Sequence, residues 1–85
     1  MNAIVSIKKV TPEQAIAWLS NKWHEQRGVR ANHVNRIAAD MSSGSFRLGP
    51  DAILRVKGKL ANGQHRLEAV VKSGKPQSFI ILESD

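Results

Sequence analysis

Within two residues, at Asn62-Gly63, the chain passes from a strand pattern to a helix pattern. Lys59-Leu60-Ala61 reads as the end of an apolar strand, and Gln64-His65-Arg66-Leu67-Glu68-Ala69-Val70-Val71 reads as a helix from its first residue, with Leu67, Val70 and Val71 at core spacing. The first N–H groups of a helix have no intrahelical partner and lie at the positive end of its dipole, so an anion held there gains donors and a favourable field together. Gly63 lets the main chain approach a ligand closely, and Arg66 adds a forked cation suited to phosphate or carboxylate. The chemistry is therefore sought first at Gly63, Gln64, His65 and Arg66.

The rest of the chain alternates strands with helices. Ala3-Ile4-Val5-Ser6-Ile7 is β-branched and reads as an opening strand with a charged exit at Lys8-Lys9. Thr11 can cap a helix, Pro12 suits its first position and Gln14 completes a capping box, with Ala15, Ile16, Trp18 and Leu19 as the buried stripe. The segment from Trp23 to Ala31 shows neither period and reads as a polar loop, anchored by Trp23 and carrying Arg27 and Arg30. Asn32 is the expected cap of a second helix, from about His33 to Ser43, in which Val34, Ile37, Ala38 and Met41 share one face and Gly44 closes the end. Arg36 and Asp40, four apart, predict a weak surface pair.

After the turn-rich stretch from Ser45 to Asp51, residues 52–56 and 59–61 flank a tight hairpin at Lys57-Gly58. Leu54, Val56 and Leu60 are expected to point inward, with Arg55, Lys57 and Lys59 outward. Ser73-Gly74 ends the third helix, and Ser78 to Leu82 closes as a strand. The expected fold is α+β, a small mixed β-sheet with about three helices, in one domain spanning 1–85.

At this length folding buries only about 60% of the unfolded surface, so the core is modest. The absence of cysteine excludes disulfides, a thiol nucleophile and thiolate metal sites, and with no bilayer-length apolar run and no signal-peptide pattern a cytoplasmic protein is expected. Net charge is +6 and is unevenly spread. Residues 1–26 carry three Lys against two Glu, residues 27–66 carry six Arg and two Lys against Asp40 and Asp51, and the tail after Leu67 is slightly acidic. An arginine-rich middle favours an anion site or a nucleic-acid face, with Arg27, Arg47, Arg55, Lys57 and Lys59 as the candidate surface.

Gly58 and Gly63 have P-loop spacing, but Gln64-His65 stands where a P-loop needs Lys followed by Ser or Thr, so that class is excluded. The run Asn62-Gly63-Gln64-His65-Arg66-Leu67-Glu68-Ala69, followed by Ser73-Gly74 and a closing strand, resembles the signature of the ParB/sulfiredoxin superfamily in its DGQHR form. The resemblance extends over roughly residues 27–82, taking in the arginine loop, the helix that ends at Gly44 and the strand after Pro50. It implies a nucleotide or phosphate site in which Gly63, Gln64, His65 and Arg66 form the phosphate-facing turn, while Arg30 and the backbone at Gly44 approach from the other side. The cofactor expected is a nucleoside triphosphate with magnesium, or else none.

Two departures narrow that expectation. The family's reductases carry a catalytic cysteine where Gln64 stands, so sulfinic-acid reduction is excluded. The partition proteins carry Glu-Arg-Arg where this chain has Gln64-His65-Arg66, which removes a carboxylate that helps hold a metal and argues against hydrolysis. An enzyme of this type would show at most a weak NTPase or nuclease-like activity, and no catalytic residue is assigned. His24, His33 and His65 lack metal-ligand spacing.

Three partner classes follow, none of them a membrane. The first is a nucleotide or nucleic-acid phosphate at the Gly63 turn. The second is a host protein or ribonucleoprotein, bound by a phage or mobile-element inhibitor, anti-CRISPR-like, that keeps the fold without catalysis. The third is DNA or RNA held electrostatically by the basic middle, with affinity falling steeply as salt rises.

Overall fold

Local sequence signals set the boundaries of most elements. The computed structural model describes residues 3–22, 30–49 and 51–84. It contains β1 (Ala3–Val10), α1 (Pro12–Leu19), α2 (Ala31–Ser43), β2 (Ile53–Val56), β3 (Lys59–Asn62), α3 (Gln64–Ser73) and β4 (Gln77–Ser84). The Thr11 hydroxyl accepts the Gln14 N–H at 3.2 Å, with Pro12 in the first helical turn, so α1 starts as its capping residues dictate. Lys57 and Gly58 both take positive φ, 52° and 77°, the pattern of a type I′ hairpin turn.

The sheet is mixed, in the order β1-β4-β2-β3. β4 pairs antiparallel with β1 and parallel with β2, and β2 pairs antiparallel with β3 across a register shift between Leu54 and Arg55. This is the small α+β arrangement expected. All three helices put buried residues into one cluster with Val10, Ile53, Leu60, Phe79 and Ile81, among them Ala15 and Trp18 from α1, Val34, Ala38 and Met41 from α2, and Leu67, Ala69 and Val70 from α3. The helices thus cover one face of the sheet.

Register corrects the facing of β2. Ile53 pairs with Ile81 and Arg55 with Glu83, so Ile53 and Arg55 lie on the helix side while Leu54 and Val56 lie on the open side with Leu82 and Ser84. Ile53 is fully buried, whereas Leu54 and Val56 are only half-buried. Arg55 is accordingly not an outward cation. Its guanidinium carbon stands 4.6 Å from the centre of the Trp18 ring, and Nη1 pairs with Glu83. Leu60, by contrast, is fully buried as expected.

Three further expectations change. β1 runs on through Lys8-Lys9 to a buried Val10, because β4 is long enough to pair with all eight residues. α2 is capped by Arg30, not Asn32, so the helix begins two residues early and without a side-chain cap. Arg36 and Asp40 are exposed and unjoined, and the ion pair among the described residues is Arg55–Glu83. The predicted loop anchor Trp23 and the predicted surface cation Arg27 lie outside the described residues.

Candidate functional site

α3 starts abruptly because Gly63, its N-cap, sits at φ 108°. A side chain at that position is disallowed twice over. The backbone is left-handed, and a β-carbon would lie 2.4 Å from Ile53 Cδ1. Close seating of the elbow on Ile53 brings the first turn of α3 against the start of β2. Arg66 completes the junction, its Nη1 donating to the Asp51 carbonyl at 2.6 Å and its Nη2 to the Ala52 carbonyl at 3.1 Å.

α2 reaches the same place from the other side. The Arg30 N–H donates to His65 Nε2 at 3.2 Å, so the residue that caps α2 is tied to the first turn of α3. With Nε2 accepting, the imidazole carries its proton on Nδ1. His33, one turn into α2, packs edge-on against His65, their ring centres 5.0 Å apart and their planes at 79°. Two helix N-termini, each with unpaired amides and a positive dipole end, therefore open together.

Between them is a cavity of about 700 Å³ lined by residues from both helices and from the two loops that bracket β2 and β3. Arg30, His33, Gln64, His65 and Arg66 form its polar wall, and Ile37 and Phe46 its apolar wall. Asp51 and Asn62 stand between. Gln64 is only 8% exposed, and its amide makes no hydrogen bond among the described residues. Its amide atoms keep solvent access, so the side chain can donate to or accept from a ligand in the cavity without giving up a protein partner. Burial lowers the Arg66 pKa and the nearby Asp51 carboxylate raises it back, a contest that still leaves the guanidinium charged.

Of the expected phosphate-site residues, Gly63, Gln64, His65, Arg66 and Arg30 meet at this cavity. Gly44 does not. It closes α2 at the far end of a helix about 20 Å long, and its N–H is already given to the Met41 carbonyl at 3.3 Å. Arg66 lines the cavity, but two of its nitrogens are occupied by backbone carbonyls, so it acts first as a brace. Among the surface cations, Arg47, Lys57 and Lys59 are exposed and Arg55 is not. The hairpin bearing Lys57 and Lys59 lies beyond the opposite end of β2 from Asp51, about 13 Å along the strand.

His33, Ile37, Phe46, Asp51 and Asn62 line the cavity although the sequence did not single them out as site residues. Arg30, His33 and Ile37 fall at i, i+3 and i+7, a helical face that was legible once the helix start was placed at Ala31. Phe46 and Asp51 had no such signal, since the fold alone brings their loop across. No group of three or more acidic or histidine side chains among the described residues is placed to hold a metal ion, and no described helix is long and apolar enough to cross a membrane.

Fold and cavity together define a class: a small α+β protein whose mixed sheet is helix-covered on one face, with a polar cavity at two converging helix N-termini. No family model matches the chain, and neither a curated protein nor a solved structure matches it.

Proposed function

We propose that this chain is a ParB/sulfiredoxin-like module that binds a phosphate-bearing ligand, a nucleotide or a nucleic-acid phosphate, in the cavity between α2 and α3. The observation that carries the reading is the convergence of the first turns of both helices on one cavity, joined by the Arg30–His65 hydrogen bond. Unpaired amides, His65 Nδ1–H, the Gln64 amide and the Arg30 side chain supply donors and positive charge where an anion would sit. Ile37 and Phe46 give the apolar wall a base needs, and about 700 Å³ is within the usual range for small-molecule sites.

Magnesium fits poorly as a resident ion. Among the described residues Asp51 is the one carboxylate on the cavity wall, so a metal would arrive with the ligand's phosphates, and no hydrolytic step is derived through it. Binding without catalysis is the reading supported.

Thermal unfolding with CTP, ATP, GTP and short oligonucleotides tests it. A ligand at about a hundredfold above its Kd raises Tm by roughly 10–20 °C in a domain of this size. Loss of that shift in His33→Ala and Gln64→Ala locates the ligand in the cavity, and no shift with any of these ligands overturns the proposal.

A further inference from the structure

β1 is an edge strand of eight residues, and no described residue pairs with its outer side. The other edge, β3, is treated differently. There the Leu60 N–H donates to the Asn21 carbonyl at 2.8 Å and Lys22 forms a bridge alongside. Natural edge strands are blunted by charge, proline, a bulge or a covering segment. From Ala3 to Ile7 β1 has none of these, and its ladder with β4 is unbroken. Ile4, Val5 and Ile7 are about two-thirds exposed, at 66%, 66% and 65%.

Register puts Val5 and Ile7 on the open face of the sheet, beside Leu82 and Ile80 of β4. Leu54 and Val56 of β2 continue the same apolar surface, and no helix covers it among the described residues. The strand edge and the face meet along β1.

The charge distribution selects the occupant. The +6 excess comes from residues 27–66, which supply α2, β2, β3 and the start of α3, whereas residues 1–26 contribute +1 and residues 67–85 contribute −1. β1 lies three strand spacings, about 14 Å, from β3, so it stands away from the arginine-rich edge, and its own cations, Lys8 and Lys9, sit at its C-terminal end. Two copies meeting edge to edge at β1 keep their basic halves at opposite ends of one sheet.

The sequence of β1 also suits its own copy. An antiparallel pairing about a two-fold axis at Ser6 sets Val5 opposite Ile7, Ile4 opposite Lys8 and Ala3 opposite Lys9. β-branched side chains then face each other twice on the open side, and no lysine meets a lysine. A parallel pairing would stack Lys8 and Lys9 on their counterparts. We propose that the β1 edge is the interface of an antiparallel, two-fold homodimer that joins two four-stranded sheets into one of eight strands.

Sedimentation of the full chain over a concentration series, with Val5→Lys and Ile7→Glu variants, tests this. The expected result is twice the chain mass for the wild type and the single-chain mass for each variant alone, with helix and strand content unchanged by circular dichroism. An equimolar mixture of the two variants recovers the doubled mass, because the introduced lysine then faces the introduced glutamate. In the wild type, amide exchange across residues 3–9 slows as concentration rises. A wild type that stays monomeric to about 1 mM overturns the interface, as does a dimer indifferent to both substitutions or a variant mixture that fails to pair. The cavity lies at the other edge of the sheet, so nucleotide-induced thermal shifts in the monomeric variants report on ligand binding separately.

Discussion

His65 accepts the backbone N–H of Arg30 at 3.2 Å, fastening the first turn of α3 to the residue that opens α2. The bond is made on the protein surface, yet it fixes how two helix dipoles are aimed at one cavity.

Replacing His65 by Ala removes that acceptor. Water can reach the freed N–H, so the loss of stability is small, about 0.5–1 kcal/mol by urea denaturation. Phosphate-ligand affinity falls by about tenfold, because the α2 terminus is no longer held toward the α3 terminus and the Nδ1 donor is gone. An affinity that survives the substitution argues against the cavity.

Arg66→Ala leaves two carbonyls at the start of β2 without their donor and costs about 2 kcal/mol of stability. Arg66→Lys keeps the charge but lacks the fork, and recovers less than half of the loss. Burial depresses the folded-state pKa of Arg66, so stability from this group rises with pH only in the strongly alkaline window between its folded and unfolded values. Between about pH 5 and 9 the difference in stability between wild type and Arg66→Ala is therefore flat.

Gly63→Ala is expected to cost about 3 kcal/mol, combining a left-handed backbone with a methyl group driven into Ile53 Cδ1. Gly74→Ala serves as the control. Its φ of 69° carries the backbone penalty, but nothing stands within 4 Å of the new methyl, and the cost is about 1 kcal/mol. Equal costs at the two positions would show that the Ile53 contact is relieved easily.

Arg55→Ala lowers stability by about 1 kcal/mol through loss of the Trp18 stacking and the Glu83 pair, an effect moderated because Arg55 Nε is already buried without a partner. It leaves the salt dependence of oligonucleotide binding unchanged. Arg47→Ala and Lys57→Ala do the reverse, each reducing the slope of log K against log salt by about 0.7–0.9 for every phosphate no longer neutralised, with stability unaltered.

Features written in a few adjacent residues were legible in the sequence. Thr11, Pro12 and Gln14 announce α1, Lys57-Gly58 announces the hairpin, and Asn62-Gly63 announces the elbow, because caps and turns depend on local backbone chemistry. The facing of β2 was not legible. Ile53 and Leu54 are both apolar, so alternation alone allowed either parity, and parallel pairing with β4 decided it by setting Arg55 beside Glu83. The start of α2 was misplaced for a related reason, since Asn32 is the better intrinsic cap but Arg30 is the residue that His65 holds. At the site, the elbow residues were found from their order in the chain. Phe46, Asp51 and His33 join them only because distant elements pack together.

β4 is hydrogen-bonded to β1 on one side and to β2 on the other. During synthesis the earliest strand therefore has no sheet neighbour until residues 77–84 have left the ribosome, and the α1, α2 and hairpin segments must wait as separate pieces. The sheet assembles around its latest-made strand, and a ribosome stalled before Gln77 would hold a nascent chain in which all three helix segments and the β2–β3 hairpin have been made but nothing joins β1 to that hairpin.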